Sequence, residues 1–298
     1  MTAAMTLTKH AAALVWGRDR ARTDSAAIRA ELVEREYPPA APIPAFLRRR
    51  HEVEIATVKG RPVITFTPKD HPPATELIYL HGGAYVQPIG LPQWIIVGQM
   101  LRRLDAAVTV PLYGLAPWHT IDDALALLSE VHAMVRARAS QAGVPLAIGG
   151  DSAGGGLTLA HSVSQRDAGA DLPDRLLLIC PWVDVTVTHP DVAALVRHDL
   201  TLNPAGLRVA GELWAGTRDV RDPVVSPIYA DLAGLPPMRS VVGGQEILLP
   251  DARDFDRAAR AAGVDASLRV YPAGFHEFPV ATYTRESRSA LTWLTEPF

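Results

Sequence analysis

The chain has 298 residues, 48% of them hydrophobic and 20% charged, with a formal net charge of −3. That is an ordinary globular balance, enough for one large α/β domain or two small ones. The charges are scattered, which argues against a nucleic-acid stripe; the one basic knot, Arg48-Arg49-Arg50, reads as a solvated loop.

The first twenty residues hold a short apolar patch, with no early basic region and no clear cleavage site. No run approaches the ~18 apolar residues that a bilayer span requires. The single cysteine, Cys180, cannot form an internal disulfide and reads as a small buried hydrophobe. The expectation is a soluble cytoplasmic protein with no nucleic-acid or membrane partner.

Residues 1–45 are helix-like. The run SAAIRAELVERE is periodic, with Ser25 as its cap, and YPPAAPIP stops it. HEVEIATVKGRPVITFTP then reads as two alternating strands joined at Lys59-Gly60. Next come short apolar runs, most of them with the character of strands buried on both faces: ELIYL, AAVTV, PLAIGG, RLLLIC, MRSVVGG and ASLRVY. Helix-period segments lie between them at 92–103, 119–140, 152–168 and 250–262. This alternation predicts an α/β fold with a mostly parallel central sheet and helices on both faces; the hairpin adds antiparallel strands at one edge. More than fifty residues separate Cys180 from Met238. A connection of that length suits an active-site cover, to which the N-terminal helices can contribute.

Gly-Asp-Ser-Ala-Gly at 150–154 fits G-x-S-x-G, the nucleophile elbow. The pattern recurs by chance in many chains. Here an apolar strand precedes it and a helix follows, as the elbow requires. A tight strand-to-helix turn lifts the Ser152 hydroxyl above the strand ends and presents the Ala153 N–H at a helix start. The run LIYLHGGAYV ends a strand at His81 and continues into two glycines. Paired with the elbow, it predicts the other wall of an oxyanion hole, from N–H groups among Gly82, Gly83 and Ala84.

A serine hydroxyl needs a base. Of the ten histidines, His276 lies between the last predicted strand and the final helix, at the sheet edge where parallel strands bring Ser152. His10, His51, His71, His119, His132, His161, His189 and His198 have no matching position and read as solvated or structural. His81 reads as an architectural partner within the glycine loop. The carboxylate that orients the base is expected after MRSVVGG, in the order Ser, acid, His. Asp254 and Asp256 fall inside the next helix and read as exposed or surface-paired, which leaves Glu246 and Asp251.

Taken together, these segments resemble the hormone-sensitive-lipase-like (bacterial type IV) carboxylesterases of the α/β-hydrolase fold. The resemblance runs from about residue 75 to 295, through YLHGGAYV, VPLYGLAPWHT, GGDSAGGGL, CPWVDVT, VVSPIYADLAGLPP and VYPAGFHEFP in that order. The family's usual HGGG stands here as His81-Gly82-Gly83-Ala84, where only the backbone of the fourth residue matters. Its YRLAPE stands as Tyr113-Gly114-Leu115-Ala116-Pro117-Trp118, so the salt link of its arginine and glutamate is missing.

The resemblance implies hydrolysis of short acyl esters without metal or organic cofactor, on a small-molecule ester substrate. It also implies a helical cap from residues 1–45 and 186–230 over a core of 46–185 and 231–298. By family analogy, the resemblance also implies a homodimer through the last strand and helix. Trp182, Leu195, Leu202, Trp214 and Tyr229 are the apolar candidates for a pocket wall or for cap core. Family members mostly carry an aspartate as the triad acid, which would point to Asp251. Position favours Glu246: Leu235-Pro236-Pro237 matches the family's lead-in, the strand follows directly, and thirty residues then separate Glu246 from His276. The expected catalytic set is Ser152, Glu246 and His276, with Asp251 as second candidate for the acid. Two rival expectations are a specialised biosynthetic hydrolase or cyclase acting on one ester or lactone, and a non-catalytic ligand receptor on the same fold.

Overall fold

Lys59 and Gly60 both take left-handed backbone, φ 45° and 73°, and join β1 (His51–Val58) to β2 (Arg61–Pro68) as the predicted hairpin. The computed structural model describes residues 3–16 and 23–297; residues 1–2 and 17–22 of the N-terminal segment, and residue 298, lie outside the described residues. After the hairpin come β3 (Thr75–Leu80), β4 (Ala106–Pro111), β5 (Leu146–Asp151), β6 (Arg175–Ile179), β7 (Met238–Gly243) and β8 (Ala266–Tyr271). They form one sheet in the order β1-β2-β4-β3-β5-β6-β7-β8. β2 is antiparallel to β4, and every later pair is parallel.

The sheet's two faces carry separate cores because side chains alternate along a strand. Ile78 and Leu80 of β3 face one core, with α5 (Ile121–Ala142) and α6 (Ala153–Asp167) over it. Leu77 and Tyr79 face the other, covered by α4 (Leu91–Arg103) and α10 (Arg285–Thr295). Each Leu or Ile removed from water in this way contributes roughly 1.5–3 kcal/mol. β3 and β5 are neighbours, yet the helices that follow them pack on opposite faces. That reversal opens a crevice at their C-terminal ends, the usual ligand position in such sheets.

Three local expectations are corrected. The N-cap of α2 (Ser25–Glu34) is Asp24, whose carboxylate accepts from the Ala26 and Ala27 N–H groups, so Ser25 is the first helical residue. Arg48-Arg49-Arg50 are exposed, but they form the last turn of α3 (Ala45–Arg50), where cations complement the helix dipole. β8 is not buried on both faces; it is an edge strand, at the end of the sheet opposite β1, and Ser267 and Arg269 are exposed.

The long connection holds α7 (Val192–Leu195) and α8 (Pro204–Ala215). Pro204 opens α8, and the Asn203 side chain accepts from the Ala205 and Gly206 N–H groups. Ile28 and Leu32 of α2 pack on Ala205, Val209 and Leu213 of α8. In α1 (Ala3–Trp16), Met5 is fully buried and Lys9 donates to the Gln245 side chain. Among the described residues no helix is long and apolar enough to cross a membrane.

Gly114 and Trp118 occupy the segment where the salt link is missing. A Cβ on Gly114 would sit 2.2 Å from the His119 ring, so that ring fills the space. Trp118 packs on Tyr37 at 5.0 Å, with the Arg35 guanidinium 5.5 Å from its ring. An aromatic and cation–π cluster thus ties the N-terminal segment to this loop.

Candidate active site

β5 ends at Asp151, and Ser152 takes φ 50°, ψ −116° before α6 begins. The elbow passes so close to β3 that a Cβ on Gly154 would lie 1.9 Å from the Leu80 carbonyl oxygen. One on Gly150 would lie 2.5 Å from the same oxygen. The two glycines flanking the serine are therefore dictated by packing. The Ser152 N–H donates to the Ile179 carbonyl at 2.8 Å, and the Ser152 carbonyl accepts from Gly156 and Trp182. The backbone is fixed on both sides while the side chain points up.

After β3 the chain turns through Gly83, Ala84 and Tyr85, all with positive φ. The N–H groups of Gly83, Ala84 and Ala153 have no acceptor among the described residues. The Gly82 N–H is different: it donates to Asp151 Oδ1 at 2.9 Å. That corrects the expectation for Gly82, whose donor is already used; it must be glycine because a Cβ there would meet Asp151 Oδ2 at 2.4 Å. His81 is architectural, as expected. Its Nδ1 is 2.8 Å from the Gly82 carbonyl, its ring stacks on Tyr113 at 4.4 Å, and the Tyr113 hydroxyl donates to its carbonyl.

The acid and base loops are brought together at their backbones. Gln245 donates its N–H to the Gly274 carbonyl at 3.0 Å, and a Cβ on Gly243 would touch Gly274. Glu246 is fully buried. Its Oε1 accepts the Gly243 N–H at 2.6 Å, and its Oε2 binds His276 Nδ1. His276 Nε2 lies 2.9 Å from Ser152 Oγ. Burial pushes the imidazole pKa down, but the charge and hydrogen bond of Glu246, with the charges of Asp199 and Asp151, outweigh it and hold His276 above its usual 6.5.

Asp251 is not brought to His276. It sits in the first turn of α9 (Leu249–Ala261), buried, with Asp184 and Asp254 as its charged neighbours. Burial, reinforced by those two acids, raises its pKa to about 7. Asp254 pairs with Arg257, as expected; Asp256 pairs with Arg260 but is itself buried. Trp182 and Trp214 are wholly buried and stack on Tyr85 at 5.4 Å and 4.3 Å. Leu195 and Leu202 are half-buried against the core, and Tyr229 is exposed and donates to Asp184.

Three residues escaped the sequence reading. Asp151 binds the Tyr79 hydroxyl (2.5 Å), the Gly82 N–H and the Gln93 amide (3.2 Å). Asp199 of the long connection accepts the Ile247 N–H and so holds the acid loop. Glu277 is buried beside His276. Only Asp151 had a signal, its place inside the elbow motif. Cys180, buried as expected, has Sγ within 4.8 Å of Glu246 and His276 ligand atoms. Both imidazole nitrogens already face Ser152 and Glu246, so this cluster offers a metal ion no free nitrogen.

The sequence profile described as the alpha/beta hydrolase fold matches residues 77–280, spanning the elbow, the glycine loop, Glu246, Asp251 and His276. The chain belongs to the α/β-hydrolase family. This hydrolase is similar to an acetyl-hydrolase of Streptomyces hygroscopicus, 33% identical over 67% of each chain. It is also similar to an esterase of Acinetobacter venetianus, 29% identical over 82% of this chain and 80% of the other. The crystal structure of an esterase from the bacterial hormone-sensitive lipase family superposes with a TM-score of 0.77 at 27% identity, covering 99% of this chain and 97% of that one. The hydrolase is thus an enzyme of the hormone-sensitive-lipase-like carboxylesterase group, as the motifs implied.

Proposed function

We propose that this hydrolase cleaves short-chain acyl esters through a Ser152–His276–Glu246 triad and an acyl-enzyme. The observation that carries the reading is the imidazole of His276, 2.9 Å from Ser152 Oγ on one side and bonded to Glu246 on the other. Ser152 attacks the ester carbonyl as His276 takes its proton. Glu246 holds the Nδ1–H tautomer and stabilises the imidazolium. The N–H groups of Gly83, Ala84 and Ala153 receive the oxyanion, each such donor contributing roughly 2.7–4 kcal/mol. His276 then protonates the leaving alcohol, and water repeats the cycle on the acyl-enzyme.

Residues 1–45 and 186–230 act as the cap over a core of 46–185 and 231–298. The packing of α2 on α8 and the stacking of Trp214 on Tyr85 support this division. A cap closes the far end of the acyl pocket, which favours chains of about two to eight carbons, the shorter ones most. The test is a p-nitrophenyl ester series alongside fluorophosphonate labelling at Ser152. Fast turnover of the short esters is expected. Preference for long-chain triglyceride contradicts the short-chain reading, and weak turnover with intact labelling favours an enzyme specialised for one ester.

A further inference from the structure

Glu277 follows the proposed base directly, and nothing in the ester mechanism uses it. Its backbone is left-handed, φ 65°, an uncommon conformation for a residue with a side chain. Its carboxyl is buried, lies against the Asp151 carboxylate, and has Oε1 3.8 Å from His276 Nε2. Neither Glu277 oxygen meets an N–H or O–H donor among the described residues.

The titratable groups around it come from four further strands and loops. They are Asp151 at the end of β5, Tyr79 on β3, Glu246 after β7 and Cys180 after β6, with His276 beside it. None of them is a fixed cation. Burial, and then the neighbouring acids, hold the Tyr79 hydroxyl and the Cys180 thiol neutral. Among the described residues, the donors that reach this pair, from Tyr79, Gly82 and Gln93, are spent on Asp151. An ionised Glu277 would be a second buried negative charge with nothing to compensate it. Two carboxyl groups in such contact share one proton, and the distribution of donors decides which carries it.

We propose that Glu277 is a neutral carboxylic acid that donates its proton to Asp151, latching the serine elbow to the histidine loop as a positioning residue. One end of the latch is bonded in sequence to Ser152 and the other to His276, so a single proton helps hold their side chains in register. The direction of the Glu277 pKa, pushed far up by burial and then by Asp151, agrees. When rising pH removes the proton, Asp151 and Glu277 repel, the loops separate, and turnover falls. The location of the proton is independent of the triad reading; the effect on rate rests on it.

The test has two readouts. The first is the infrared absorption of a protonated carboxyl at pH 8, taken as the difference between wild type and Glu277→Gln, which cancels any contribution from Asp251. The band is expected in wild type and in inactive Ser152→Ala, so it reports on the latch even where the triad reading fails. The second is the pH profile of kcat/KM with p-nitrophenyl acetate. Wild type should show an alkaline decline that Glu277→Gln lacks, because an amide donates to Asp151 and cannot ionise. Glu277→Leu, with no donor, should lose ~10-fold or more at neutral pH, about one charge-assisted hydrogen bond. Should Glu277→Gln fail to fold, Asp151→Asn takes its place, and the band should titrate at lower pH than in wild type. A missing band in wild type, or one that titrates unchanged in Asp151→Asn, overturns the latch. An identical alkaline midpoint in wild type and Glu277→Gln overturns its coupling to catalysis.

Discussion

His276 Nε2 stands 2.9 Å from Ser152 Oγ, although 124 positions separate the two residues in the chain. The elbow after β5 and the loop after β8 supply them, and the parallel sheet brings both loops to one edge. Replacing Ser152 by Ala removes the covalent route and little packing. The variant should fold as wild type and lose activity by about four orders of magnitude or more. Turnover of a short p-nitrophenyl ester by the purified variant checks this, and more than a few per cent retained would remove Ser152 from the mechanism.

The two acids separate cleanly. Glu246→Gln keeps the shape but removes the charge on His276 Nδ1, so kcat should fall by about 10⁴-fold. Asp251→Asn, facing Asp184 and Asp254, should stay near wild type. The opposite outcome reassigns the triad acid.

The base must be neutral to accept the serine proton. Glu246 holds His276 above 6.5, so kcat/KM should rise with pH through a midpoint higher than 6.5. An acid limb centred below that value contradicts the proposed pairing.

Trp214 is wholly buried in α8 and stacks on Tyr85, next to the oxyanion loop. Trp214→Ala should cost about 3–5 kcal/mol of stability. It should also lower kcat, because Tyr85 loses its support. Denaturant midpoints and turnover measured together check both, and unchanged kcat would detach the stack from the oxyanion loop.

His132 and His161 face each other at 3.0 Å in the core between α5 and α6. Burial, then the Arg136 charge, lowers His132 to about 4; burial, then His132, lowers His161 to about 3. Both folded pKa values lie below the unfolded 6.5. The pair's contribution is therefore complete above pH 6.5 and declines as the pH falls from there towards 4 and 3. The loss should be on the order of a few kcal/mol, at about 1.4 per unit. Urea midpoints between pH 7.5 and 4.5 test it, with His161→Gln expected to flatten the decline.

The order of elements, the elbow and the candidate base were legible in the sequence because each is a local pattern. Strand–helix alternation fixes a parallel sheet, G-x-S-x-G needs only its neighbouring strand and helix, and His276 was set by its place after the last strand. Position directly after the strand favoured Glu246 over Asp251 as the acid, against the family's usual aspartate. What the sequence could not carry was contact between distant chain segments. Gly82 looked like an oxyanion donor until Asp151, sixty-nine positions away, was found to hold its N–H. Asp199 touches the acid loop from forty-eight positions off, and Glu277 meets Asp151 across the sheet edge. Burial and hydrogen-bond partners belong to the folded chain, and they decide which polar group is spent on structure and which remains for chemistry.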